Sequence, residues 1–179
     1  MTTLPVLRLL VLAAFLLVAV IHDLKSRRIP NRVTVTGALV GLVLATLEQG
    51  AFPGSAVLGA AVALVVCFPF FALGALGAGD AKLFAMVGVF VGPGGLLSVL
   101  LYGGVAGGFL ALASAIRSRR VLPLLLSARD LAVYAVTFGR AGAKRTLATA
   151  GAETVPYGVA IAVGALAAWF VPLSLGGLP

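Results

Sequence analysis

The sequence is poor in the side chains that most enzymes use for chemistry. It holds one cysteine, Cys67, and one histidine, His22. A single cysteine excludes an internal disulfide framework and a cysteine-rich zinc site, and a single histidine leaves no Ser-His-Asp set to assemble. No metal ligand set and no cofactor motif can be assigned. Charge is scarce as well: Asp, Glu, Lys and Arg make up 10% of the 179 residues, where soluble domains carry about 25%. Hydrophobic residues fill the space, at 61%, and they come in long blocks, so the bilayer is the relevant solvent. Cys67 falls inside one such block, "VALVVCFPFF", and reads as a small packing residue. There is no internal repeat, soluble second domain or low-complexity tail, so residues 1–179 form a single membrane-embedded domain.

A spanning helix needs about 20 apolar residues, with about 17 as the lower limit. On that scale six segments emerge: Leu4 to Asp23, Val33 to Leu47, Ala56 to Leu76, Ala81 to Val91, Gly95 to Ile116 and Val155 to Val171. The second and fourth are short, and each can be extended into its flank, tilted or matched by a thinner bilayer. The first lacks a basic start and an A-x-A site, which makes it a retained span rather than a signal peptide. The expected fold is all-α and polytopic. "IPN" at Ile29 to Asn31 breaks the helix before Pro30 and offers Asn31 as a cap, and "GPGG" at Gly92 to Gly95 is a turn between the fourth and fifth spans.

The net charge of +8 records topology rather than a nucleic-acid surface. If the first helix enters the cytoplasm at its C-terminal end, the inner loops hold Lys25, Arg27, Arg28, Arg32, Lys82, Arg117, Arg119, Arg120, Arg129, Arg140, Lys144 and Arg145. Only Arg8 stays near the outer side, and both termini lie outside. The long connection from Arg117 to Thr154 is broken by Arg129 and Asp130, which favours a helix lying at the cytoplasmic interface, held to anionic lipid, over a seventh span.

Five acids remain to be explained: Asp23, Glu48, Asp80, Asp130 and Glu153. Glu48, at the outer end of the second helix, and Asp130 and Glu153, in the inner connection, read as solvated or interfacial. Asp23 and Asp80 each abut an apolar segment, where an ionisable group is expensive and commonly functional. Asp23 ends the first helix as it reaches the cytoplasm and Asp80 begins the fourth as it leaves, so the two carboxylates share one depth. Taken singly, Asp80 is a helix cap and Asp23 part of a topogenic charge cluster. Taken together, two carboxylates in one site can activate water as an acid and base pair. Their helix ends differ: Asp80 at an N-terminus near Lys82 is favoured as the ionised partner, Asp23 at a C-terminus as the protonated one.

Three stretches carry a resemblance. "DLKSRRIPN" (Asp23 to Asn31), "GAGDAKL" (Gly77 to Leu83) and "VPYGVAIAVG" (Val155 to Gly164) resemble the bacterial type IV prepilin peptidases, membrane aspartic proteases of the GxGD class. The likeness implies that Asp23 and Asp80 are catalytic, with Gly77, Gly79, Lys82, Pro30, Asn31, Pro156, Tyr157 and Gly158 as supporting motif residues. Gly77 and Gly79 would let the backbone approach helix one or the substrate, and the Pro156, Tyr157, Gly158 stretch would pack near the site. The likeness also implies an inner-membrane enzyme that removes the short basic leader of a prepilin after glycine, at the cytoplasmic face, without cofactor. Bifunctional members carry an extra cytoplasmic region after the first helix; here only Leu24 to Arg32 separates the first two spans, which argues against methyl transfer and for the compact form of tight-adherence (Tad, Flp-type) pilus systems. Three residues keep two readings. Lys82 orients Asp80 or contacts the scissile region, or it snorkels to the surface; His22 tunes Asp23, or packs at the helix end or lies at the interface; Lys25, Arg27 and Arg28 set topology or meet substrate. Two other functions stay open on the residues alone: an archaeal preflagellin-type peptidase, and a small transporter or assembly factor that uses the two aspartates as an ion site.

Overall fold

The computed structural model describes residues 3–72, 76–119, 121–137 and 157–173, and among these all regular structure is helical. The elements are α1 (Thr3–Ser26), α2 (Asn31–Gln49), α3 (Gly54–Ala72), α4 (Ala78–Arg117), α5 (Val121–Val136) and α6 (Tyr157–Phe170). Three of them, α1 from Leu4, α3 and α4, are long and apolar enough to cross a membrane by length and composition, and α6 is a shorter apolar helix. The protein is an all-α membrane protein.

α4 is two spans rather than one. At Gly92 the backbone leaves the helix with φ 68° and ψ 176°, a region open essentially to glycine alone, and Pro93 follows. The contacts on either side show that the chain reverses there. A straight helix would carry Gly107 about 40 Å from Asp80. Instead, Gly107 packs against Ala160, in the same turn as Gly158, whose N–H meets Asp23. Ser98, just after the break, accepts from the N–H of Leu173 beyond the other end of α6, at 3.0 Å. The arm 78–91 therefore runs outward and the arm 93–117 returns, which matches the expected fourth and fifth spans around "GPGG". The expected helix over Val155 to Val171 is observed from Tyr157; Val155 and Pro156 lie outside the described residues, as do Glu153 and most of the connection after Thr137. Within that connection α5 is a helix.

The two arms of α4 form the centre. The outward arm packs on α2 and α3, the returning arm on α6, and small residues bring the backbones together. A Cβ on Gly59 of α3 would stand 2.1 Å from the Gly88 carbonyl oxygen of α4, and one on Gly164 of α6 would stand 2.6 Å from Gly103 N and Val99 O. Between these crossings lies a core that includes Leu12, Leu16, Leu83, Met86, Val87 and Val99.

At the end where α1 begins, Arg8 makes an ion pair with Glu48 at the end of α2. Its second guanidinium nitrogen donates to the Phe90 carbonyl at 2.6 Å. The break at Gly92 interrupts the helical ladder just past this carbonyl, and Arg8 supplies a donor in its place. Glu48 is exposed, as its position at the end of the second helix implied, and its ion pair is an addition to that reading: α1 and α2 run antiparallel and bring it opposite Arg8.

Candidate active site

The opposite end of the bundle gathers the predicted site residues. Asp23 lies in the last turns of α1 and is only 6% exposed, which is unusual for an acid unless its oxygens are hydrogen-bonded. The partner comes from α6: the Gly158 N–H donates to Asp23 Oδ2 at 2.9 Å. The first turn of a helix has free N–H groups and a positive end, and both suit a carboxylate.

Asp80 sits in the first turn of α4 and reaches back to the start of its own helix. Its Oδ2 accepts from the Gly77 N–H at 3.3 Å, while the Gly77 carbonyl accepts from the Ala81 N–H at 3.1 Å. Gly77 is extended, with φ −75° and ψ 151°, as residues before a helix are. Asp80 is half-buried and lies within electrostatic range of Asp23, Cys67 and Tyr157. Three helix ends therefore converge: the C-terminal end of α1 and the N-terminal ends of α4 and α6.

A fourth end, that of α2, is tied to them. Lys82 donates to Asn31 Oδ1 at 2.9 Å. Pro30, not Asn31, occupies the cap position of α2, so the expected capping role of Asn31 gives way to a cross-helix one: its side chain is turned to α4. Lys82 is exposed, in keeping with a side chain that reaches the surface, and its ammonium also bridges α4 to α2. Gly79 faces Ile29 of the α1–α2 connection, with a Cβ position 3.4 Å from Ile29 Cβ, so the close approach it permits is to that connection rather than to α1. A Cβ on Gly77 would meet Asp80 Oδ2 at 2.9 Å. His22 is exposed and its Nδ1 lies 2.9 Å from the Val18 carbonyl of its own helix, which is the helix-end reading. Pro156 lies outside the described residues; Tyr157 and Gly158 open α6, and Gly158 touches Asp23 directly.

The arrangement alters one expectation. The sequence placed Asp23 only at the negative end of α1. The fold adds the positive end of α6, so each carboxylate now has a helix start beside it, and the contrast in helix ends no longer separates an ionised from a protonated partner. Among the described residues no group of three or more His, Cys, Asp or Glu side chains could hold a metal ion. The site offers two carboxyl groups in one another's field, each fixed through one oxygen by a backbone amide and bordered by helix starts.

No curated protein and no solved structure matches the chain significantly. Residues 10–112, which include both aspartates and every element from α1 into the returning arm of α4, match the type IV leader peptidase family, and that match spans more than half of the 179 residues: the chain belongs to the type IV leader peptidase family.

Proposed function

We propose that this peptidase is an aspartic endopeptidase of the bacterial cytoplasmic membrane, which removes the basic leader from type IV prepilins or pilin-like proteins with Asp23 and Asp80 as its acid and base. The observation that carries the reading is the meeting of these two acids, from helices far apart in sequence, at one end of an otherwise apolar bundle, with Asp23 buried and Asp80 in its field. Burying like charges together costs stability, and hydrolysis is the benefit that offsets it.

The chemistry needs one ionised and one protonated carboxyl. The carboxylate takes a proton from a water molecule as its oxygen attacks the scissile carbonyl carbon; the carboxylic acid gives its proton to the leaving amine as the C–N bond breaks. After release of both fragments the pair has exchanged its proton, and an exchange through solvent restores the starting state. The basic residues Lys25, Arg27, Arg28 and Arg32 cluster by the same helix ends as the two acids, and the positive-inside bias supports a site at the cytoplasmic face with both termini outside. A pilin-type substrate fits this geometry: its apolar helix stays in lipid while the leader junction reaches the membrane border. The short link between α1 and α2 supports the compact Tad type without methyl transfer.

The test is leader removal in cells expressing the chain with a candidate prepilin. Asp23→Asn and Asp80→Asn should each leave the precursor uncleaved while the protein remains inserted in the membrane. Normal processing by either variant would sink the acid and base pair.

A further inference from the structure

We infer that Gly158 is a positioning residue for hydrolysis: its main-chain N–H holds Asp23 Oδ2 as an acceptor and leaves Oδ1 as the oxygen that meets water and Asp80. This rests on the aspartic reading above and assigns a role to a residue outside the matched segment 10–112.

Three observations support it. The first is the 2.9 Å hydrogen bond itself, made to a side chain only 6% exposed. A carboxyl oxygen that accepts from an amide is the carbonyl-like one when the group is protonated, so in either state the proton taken or given belongs to Oδ1. The second is steric. A Cβ at position 158 would stand 2.8 Å from Asp23 Oδ2, 3.2 Å from its Cβ and 3.3 Å from its Cγ. The buried carboxyl has little room to retreat. The third is that α6 cannot back away either, because Gly164, farther along the same helix, is already against Gly103 and the Val99 carbonyl with no space for a methyl group.

Asp80 shows the same device. Its Oδ2 is held by the Gly77 N–H, so each member of the pair has one oxygen tied by an amide at a helix start and one left for chemistry. Two carboxyl groups with only one open oxygen each have a defined relative orientation, which is what proton exchange through one water requires.

The experiment uses the full chain in lipid nanodiscs, with a prepilin probe that carries a basic leader, a glycine before the cleavage point and an apolar helix. Gly158→Ala should lower kcat by about 100-fold, the scale of a misplacement of about 1 Å, with KM within about twofold of wild type. Gly107→Ala is the comparator: it adds a methyl group to the same α4–α6 contact, 3.4 Å from Ala160 Cβ and away from Asp23, and should change kcat by less than about threefold. A Gly158→Ala enzyme with kcat within threefold of wild type, or a Gly107→Ala enzyme with an equal loss, overturns the proposal. A second measurement does not depend on the Gly158 variant folding. The amide proton resonance of Gly158 should move upfield in Asp23→Ala and stay in place in Asp80→Ala; no movement in Asp23→Ala overturns the proposal. If Asp80→Asn kept full cleavage, the aspartic reading would fail and this inference with it, whereas intact dependence on Asp80 with an indifferent Gly158→Ala defeats this inference alone.

Discussion

The two ends of the bundle treat charge in opposite ways. Where α1 begins, Arg8 and Glu48 neutralise each other, and a second guanidinium nitrogen donates to a backbone carbonyl. Where α1 ends, two acids are brought within range of one another, and among the described residues no basic side chain is bonded to either; Lys82 is hydrogen-bonded to Asn31 instead. Backbone amides hold the acids in place. The first pattern is what stability alone would select. The second, among the described residues, leaves two like groups without a basic partner, and this sets the end proposed to be reactive apart from a structural one.

Removing one acid breaks the comparison most sharply. Asp80→Asn keeps an oxygen for the Gly77 N–H and relieves the repulsion, so cleavage in a membrane assay should fall by about 10⁴-fold while the thermal midpoint in detergent stays level or rises. A large fall in both would mean that Asp80 is structural, like Glu48. Next comes the reverse case. Gly59→Leu places a side chain where the Gly88 carbonyl stands; unfolding in detergent should show a loss of about 3 kcal/mol, with less protein in the membrane and unchanged cleavage per folded molecule at best. At the neutralised end, Glu48→Gln leaves Arg8 without its counter-charge and should cost ~1–2 kcal/mol of stability but less than threefold in kcat, which sets the two ends apart in a single assay. The smallest effect belongs to Lys82→Met. The side chain is exposed, so the lost bridge to Asn31 should cost under about 1 kcal/mol, with cleavage reduced less than tenfold.

How much of this could be read from the sequence follows from range. The spans were legible because hydropathy is a property of contiguous residues: "GPGG" marks the reversal of α4, and the block around Cys67 marks α3. The two acids were legible as a pair because alternation of spans fixes depth without any packing detail. What the sequence could not supply is the register and neighbour of each helix. Gly158 meets Asp23 only because α6 packs beside α1, and Arg8 meets Glu48 only because α1 and α2 are neighbours in antiparallel register. Asn31 shows the limit of local reasoning. Its position after Pro30 has the chemistry of a cap, yet Pro30 takes that place and a lysine from α4 claims the amide. The scarcity of cysteine and histidine narrowed the candidates to the five acids, and position beside an apolar segment then singled out two of them.

The reversal at Gly92 has a consequence for the surroundings of the protein. α6 has 14 residues and the outward arm of α4, 78–91, is as short, so each of the helices that present the site's amides is about 21 Å long, against about 30 Å of hydrocarbon in an ordinary bilayer. A mismatch of this size is met by thinning of the membrane or by a site that sits below its surface. On the proposed function, the acyl-chain length of the surrounding lipid then sets how far a leader junction must travel to reach the two aspartates, and lipid composition becomes a control on the rate that no residue of the site encodes.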